Sequence, residues 1–243
     1  MTAPVFIAEP GTLAADRVVL DGAEGRHAAT VRRLRPGERV DLTDGAGLLA
    51  EGVVADADRA TLTVEVRARR AVPAPTPRLV VVQALPKGDR GELAVETMTE
   101  TGVDEVVPWS ADRCVTRWKA DRRDKALARW RATAREAAKQ ARRAWLPEIA
   151  DLATTKDVVS RIANADQALI LHESAKERIA ETRPATTGEI ILVVGPEGGI
   201  TDDELEAFTQ AGAQPTLLGP TVLRTSTAGV AALSVLSAKT GRW

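Results

Sequence analysis

Val72-Pro73-Ala74-Pro75-Thr76-Pro77 divides this chain in two. Prolines at alternate positions lack the backbone donors that a helix interior or central strand needs, and they hold the chain extended. Whatever folds on either side of this run must therefore close its own core. The sequence predicts a domain over residues 1–72, a linker over 73–78 and a second domain over 79–243.

The two sides differ in texture. Before the linker, residues 17–20, 38–43, 48–55 and 61–66 are short runs rich in Val, Leu and Thr. Turn segments such as Arg35-Pro36-Gly37 and Asp44-Gly45 separate them, the pattern of a small β-barrel. Residues 25–33 read as a short basic helix or loop. After the linker, strands are expected at 79–84, 105–108, 168–172, 189–194 and 215–218, and helices at 88–101, 122–143, 202–211 and 225–239. Apolar strands alternating with helices imply an α/β fold, a mostly parallel sheet covered on both faces.

Hydrophobic residues make up 44% of the 243 positions, enough for a proper core, but aromatics are only 3% and Tyr is absent. Aliphatic and Ala side chains must fill the interior. The single Cys114 excludes a disulfide framework, and with only His27 and His172 beside it no metal site is expected. The first twenty residues lack a basic patch followed by an apolar stretch, and the longest apolar runs fall far short of a membrane span. A soluble, cytoplasmic protein is the expectation.

The net charge of −1 hides an asymmetry. Residues 113–143 hold twelve Lys and Arg against Asp121, Asp124 and Glu136, a local net of +9 that leaves about −10 for the rest. Such a segment is either a solvated helix face or the footprint of a polyanion binder. Arg131, Arg135, Lys139 and Arg142 fall along one stripe of the predicted helix, beside an apolar face of Leu127, Trp130, Ala134 and Ala138.

Three segments follow predicted strands, where open α/β sheets bind ligands. They are Leu171-His172-Glu173, Gly195-Pro196-Glu197-Gly198-Gly199-Ile200-Thr201, and Leu218-Gly219-Pro220-Thr221-Val222-Leu223-Arg224-Thr225-Ser226-Thr227-Ala228. In the second, the glycines allow close backbone approach and Pro196 stiffens the turn, while Thr201 and Glu204 form a capping-box pair. By spacing alone it is equally a tight turn that caps a helix. As a ligand loop it suits a neutral or cationic group, because Asp202, Asp203 and Glu204 repel phosphate and neither the P-loop Lys nor the dinucleotide glycine spacing is present. Arg224 reads as a surface cation or a site residue, and His172 as a satisfied polar group or a base.

Taken in order, these three segments closely resemble the bacterial 16S rRNA uridine-N3 methyltransferase family, which belongs to the SPOUT superfamily of knotted methyltransferases. Upstream blocks extend the resemblance over nearly the whole chain. They are Gly25-Arg26-His27 with Val31-Arg32-Arg33, Ala84-Leu85-Pro86-Lys87-Gly88-Asp89-Arg90, Glu100-Thr101-Gly102-Val103 and Glu136-Ala137-Ala138-Lys139-Gln140-Ala141-Arg142-Arg143. The resemblance implies a PUA-like N-terminal β-barrel, a C-terminal SPOUT domain with a deep trefoil knot, and a homodimer. It implies S-adenosyl-L-methionine held by Leu171, His172, Glu173, Gly195, Pro196, Glu197, Gly198, Gly199, Ile200, Leu218, Gly219, Val222 and Leu223. Two positions depart from the family pattern: Thr221 stands where many members carry Arg, and Ser226 where many carry Glu. A carboxylate at 226 cannot be the base here, which leaves Arg224 as the catalytic residue. The resemblance predicts methylation of uridine N3 in 16S rRNA of the small ribosomal subunit. The basic segment then suits the RNA phosphates, with Arg26, Arg32, Arg33, Arg131, Arg135, Lys139, Arg142 and Arg143 as the expected contacts. The alternatives are a ribose 2′-O methyltransferase of the same superfamily and a non-enzymatic rRNA-binding protein.

Overall fold

The computed structural model describes residues 3–243; Met1 and Thr2, the first two positions of the expected N-terminal domain, lie outside them. The chain forms two compact units, one from the residues up to Ala74 together with Ala138–Leu146, the other from Pro75–Ala137 and Pro147–Trp243.

The first unit is a curled sheet of five strands: β1 (Val5–Ile7), β2 (Arg17–Leu20), β3 (Arg39–Thr43), β4 (Leu48–Ala57) and β5 (Leu62–Ala71). Their order is β1-β3-β4-β5-β2, antiparallel except for the β1–β3 pair. The register of β4 on β5 slips between Glu51 and Gly52 and again between Val54 and Asp56. Such bulges bend a strand and raise its twist, which curls the sheet around Phe6, Leu13, Val40, Leu42, Leu62 and Val64. The basic segment after β2 is a short helix, α1 (Gly22–Arg26), that runs into one π-helical turn over His27–Val31.

The residues 138–146, assigned by sequence to the second domain, pack within this first unit. Trp145 Nε1 donates to the Val72 carbonyl at 2.9 Å, and its ring lies against Gly47, where a Cβ would come within 2.6 Å. Lys139 Nζ sits 3.0 Å from Glu24 Oε1 with its side chain only 3% exposed. This overturns the expected phosphate role of Lys139, because a buried, paired ammonium has no free face for RNA.

The second unit holds a six-stranded, wholly parallel sheet. Its strands are β6 (Arg78–Ala84), β7 (Glu105–Trp109), β8 (Glu148–Ile149), β9 (Gln167–Leu171), β10 (Glu189–Val194) and β11 (Gln214–Thr216), in the order β11-β9-β10-β6-β7-β8. The central strands β6 and β10 are almost continuous apolar runs because helices cover both faces. Those helices are α2 (Arg90–Thr101), α3 (Ala120–Gln140), α4 (Thr155–Asn164), α5 (Asp202–Gln210) and α6 (Thr225–Thr240). Gly102, at φ +97°, ends α2, as its position after the predicted helix requires. The α2–α6 contact depends on Gly229, whose missing Cβ would lie 2.6 Å from Met98 Sδ.

Helix α3 stops at Gln140 rather than at Arg143, and Arg142 adopts the left-handed conformation at φ +55°. Arg142 therefore leaves the predicted stripe. The short elements β1, β8 and α4 were not anticipated. Among the described residues no helix is long and apolar enough to cross a membrane.

Candidate active site

Strands β11, β9 and β10 are neighbours in the sheet, so their C-terminal ends deliver three loops to one place. The loop after β9 is tied to the chain after β11: His172 N–H donates to Thr216 O, Ile179 N–H to Leu217 O, and Leu217 N–H to Glu177 O. His172 Nδ1 accepts from Ser174 N–H at 3.3 Å and lies 2.8 Å from Ser174 Oγ. Because a backbone N–H only donates, the neutral ring carries its proton on Nε2.

The loop after β10 is compressed. A Cβ at Gly195 would lie 2.8 Å from Ile200 Cγ1, and one at Gly198 would lie 2.9 Å from Arg113 Cβ. Gly199 takes φ +78°. The expected capping box is present, with Thr201 Oγ1 accepting from Glu204 N–H and Glu204 Oε2 accepting from Thr201 N–H. The other oxygen of this buried Glu204 accepts from Asp112 N–H at 2.9 Å, which fastens the loop after β7 to the start of α5. Glu197 accepts from Lys87 N–H at 3.1 Å, with Arg90 3.9 Å away.

The loop after β11 ends at Arg224, the N-cap of α6, whose carbonyl accepts from Thr227 N–H and Ala228 N–H. Behind it the fully buried Gln83 donates through Nε2 to Thr225 O at 3.3 Å and holds the first turn of α6. The Arg224 side chain is exposed and makes no ion pair or hydrogen bond among the described residues.

These loops surround a cavity of about 750 Å³. Leu171, His172, Glu173, Gly195, Pro196, Glu197, Gly198, Gly199, Ile200, Leu218, Gly219, Val222, Leu223 and Arg224 all line it. Thr225 and Ala228, from the same candidate segment, stand on this wall too, and Arg113 joins them without having been expected there. Thr221 is exposed on the rim and Ser226 is buried.

Gly219 is distinctive. Other glycines of this chain either take a positive φ or would clash through a Cβ; Gly219 does neither, since nothing lies within 4 Å of the missing Cβ. Among the described residues no atom occupies the space beside Gly219, so that stretch of the cavity wall is bare backbone.

A family model described as an RNA methyltransferase domain matches residues 73–237, and one described as an RNA methyltransferase PUA domain matches residues 20–67. The chain belongs to the RNA methyltransferase family. Within that family it is 51% identical over 229 residues to ribosomal RNA small subunit methyltransferase E of Mycobacterium bovis, covering 93% of this chain and 87% of that one. The Bacillus subtilis protein of the same name is 28% identical over 233 residues, covering 91% and 90%. The fold matches a Neisseria gonorrhoeae ribosomal RNA small subunit methyltransferase E solved with S-adenosyl methionine bound, at TM-score 0.87, 26% identity and 98% coverage of both chains. A Legionella pneumophila methyltransferase solved with the same cofactor superposes equally well, at TM-score 0.87, 27% identity and 98% coverage of both.

The expected RNA-binding residues divide. Arg26, Arg32 and Arg33 are exposed around α1 and the π-helical turn. The α3 cations are largely engaged: Arg131 reaches Asp151 at 3.0 Å and Ile149 O at 3.3 Å, and Arg135 is half-buried with a partner. Arg142 lies 3.6 Å from Asp41 and bonds the Ala3 carbonyl. Burial pushes the Asp41 carboxyl up and Arg142 pulls against it, so that cation offsets a local cost. Arg143 is half-buried with a partner of its own.

Proposed function

We propose that this protein transfers the methyl group of S-adenosyl-L-methionine to N3 of a uridine in 16S rRNA of the small ribosomal subunit. The bare wall at Gly219, inside a cavity formed by three strand-end loops, is the observation that carries this reading. The similarity to small-subunit rRNA methyltransferases, one of them solved with that cofactor bound, and to a further methyltransferase solved with it supports this reading.

The bound cofactor supplies an electrophilic methyl group on a sulfonium. Uracil N3 carries a proton and a delocalised lone pair, so the N3–H bond must break as the N–C bond forms and the C–S bond opens. The base must also leave any pairing to enter the cavity. Arg224 suits the stabilisation of the resulting imide anion: its guanidinium stays charged, has no internal partner and stands on the cavity wall. In this reading the N3 proton passes to solvent water.

Exposed Arg26, Arg32 and Arg33 are the phosphate contacts of the small unit in this reading. We further propose a homodimer in the cytoplasm, built on the trefoil knot of the superfamily. Helix α6 carries a half-exposed run of Ala228, Val230, Ala231 and Val235, and Val222 before it is 84% exposed, a face that a second copy of the chain would cover.

The test is transfer of labelled methyl to small subunits purified from cells lacking this protein, with nucleoside mass analysis. N3-methyluridine is the expected product. A ribose-methylated nucleoside would overturn the assigned chemistry, and absence of both transfer and cofactor binding would overturn the enzyme.

A further inference from the structure

Arg113 belongs to the basic segment by sequence but to the cavity by position. It leaves β7 four residues after Trp109, and its side chain lines the wall formed by Gly198 and Gly199. Its backbone cannot drift. Gly198 lies so close that a Cβ there would come within 3.0 Å of the Arg113 carbonyl oxygen. Cys114 N–H donates to Ala111 O, Asp112 N–H to Glu204, and Thr116 Oγ1 to Pro86 O at 2.7 Å. Arg117 spends its guanidinium on the loop itself, reaching Ser110 Oγ, Ala111 O and Asp112 O at 3.1, 3.0 and 2.6 Å. One arginine thus builds the loop, and the other is presented by it.

The presented guanidinium is nearly unused. Among the described residues its only hydrogen bond runs from Nη1 to Gly198 O at 3.4 Å, which is long, and it has no carboxylate partner. An exposed fork of N–H donors, fixed at a cavity rim, is suited to a planar or tetrahedral anion. Two anions are at hand in the proposed reaction: the cofactor's carboxylate and an RNA phosphate. The surroundings favour phosphate. Arg113 is exposed, and the same unit continues from it through the exposed cations Lys119, Arg123 and Lys125. The rest of the cavity lining carries the carboxylates Glu173 and Asp202, and Arg113 and Arg224 are the cations among the residues around it.

We propose that Arg113 binds the RNA phosphate adjoining the target nucleotide and so sets how far the base enters the cavity. This rests on reading the cavity as an rRNA methyltransferase site. Gly198 then has a stated purpose beyond the turn: it lets the loop after β7 bring that cation to the rim.

The experiment compares the wild-type protein with Arg113→Met and Arg113→Lys on unmethylated small subunits, measuring KM for the subunit across a KCl series and cofactor Kd by calorimetry. Arg113→Met keeps the stem that packs on Gly198 and removes the charge. Its KM rises about ten-fold, the loss of one charged hydrogen-bond pair. The slope of log KM against log salt becomes shallower by about 0.7 to 1, one phosphate's worth, while cofactor Kd holds. Arg113→Lys keeps the wild-type salt slope with an intermediate KM, since a point charge replaces the fork. A structural role alone would not move the slope. An Arg113→Met enzyme whose cofactor Kd rises with an unchanged slope would overturn the proposal in favour of the carboxylate; unchanged KM and slope would overturn it outright. Wild-type protein without transfer would instead sink the proposed function, so the two failures are separate.

Discussion

The two ends of the parallel sheet are built on opposite rules. At its N-terminal end the charges meet partners. Arg78 opens β6 and lies 2.8 Å from Glu105, 2.7 Å from Glu189 and 3.4 Å from Glu148, the first residues of β7, β10 and β8. Glu105, with 3% of its side chain exposed, also holds Arg161 at 2.8 Å. Arg242, just past α6, bonds Asp104 and the carbonyls of Gly102 and Pro77. At the C-terminal end, among the described residues, Arg224 has no side-chain partner and Arg113 has one long contact. Charges that serve the fold are spent on each other; charges left unspent around a cavity are available to a ligand. On the proposed reading, function sits at one end and stability at the other.

The largest test of that division is Arg224→Ala. Removing a preorganised charge from a developing anion lowers kcat by about 10²–10³-fold. Because the side chain supports nothing internal, Tm stays within error of the wild type. A matching fall in Tm would show that Arg224 is structural and erase the contrast.

Arg78→Met is the converse. It leaves Glu105 buried with one cation instead of two, and chemical denaturation should register a loss of about 3 kcal/mol. Methyl transfer by the folded fraction, measured well below Tm, stays unchanged. An activity loss exceeding the unfolded fraction would mean the two ends are coupled through the strands.

Gly219→Ala sharpens the comparison within the cavity. The new methyl meets no protein atom and the backbone conformation is ordinary, so stability holds or rises by about 0.4–1 kcal/mol as the unfolded chain loses freedom. Cofactor Kd rises about ten-fold if that space belongs to the cofactor, the cost of overpacking a filled site. Gly195→Ala is the control. Its Cβ meets Ile200, so stability falls there.

Much of this arrangement was legible in the sequence. Continuous apolar runs gave β6 and β10, Gly102 ended α2, and the strand-end loops announced themselves by glycines that break a strand and a Thr201–Glu204 box that opens a helix. What stayed hidden depends on partners far along the chain. Lys139 fits the basic stripe by period, yet Glu24, 115 residues away, supplies the counter-charge that buries it. Arg113 reaches the cavity from a different strand, and only the close approach to Gly198 reveals it. Residues 138–146 carry no local mark of belonging with the first unit, because the Trp145–Gly47 contact that puts them there joins distant segments. The two-residue β8 and three-residue β1 are too short for any period, and α4 begins with Thr154 and Asp157, an Asp-for-Glu version of the same box.

That second box gives the smallest and most pH-specific test. The C-terminal end is not without paired charge: Asp157, like Glu204, is spent on capping a helix. Thr154 donates to Asp157 Oδ2 from its backbone N–H at 2.9 Å and from its hydroxyl at 2.7 Å. These bonds favour the carboxylate and hold the Asp157 pKa below its ordinary value of 3.8. Because the folded value is depressed, the contribution is complete above the unfolded pKa and is lost as pH falls through the folded one. Asp157→Asn removes that titration while keeping an acceptor. The Tm difference between wild type and Asp157→Asn is therefore constant near about pH 6 and shrinks below about pH 4. Asp157 is exposed, so the whole effect is a shift of a degree or so rather than a loss of fold. A difference that persists unchanged into acid would show that the cap works through hydrogen bonding alone, and that the charge contrast between the two ends of the sheet stops short of α4.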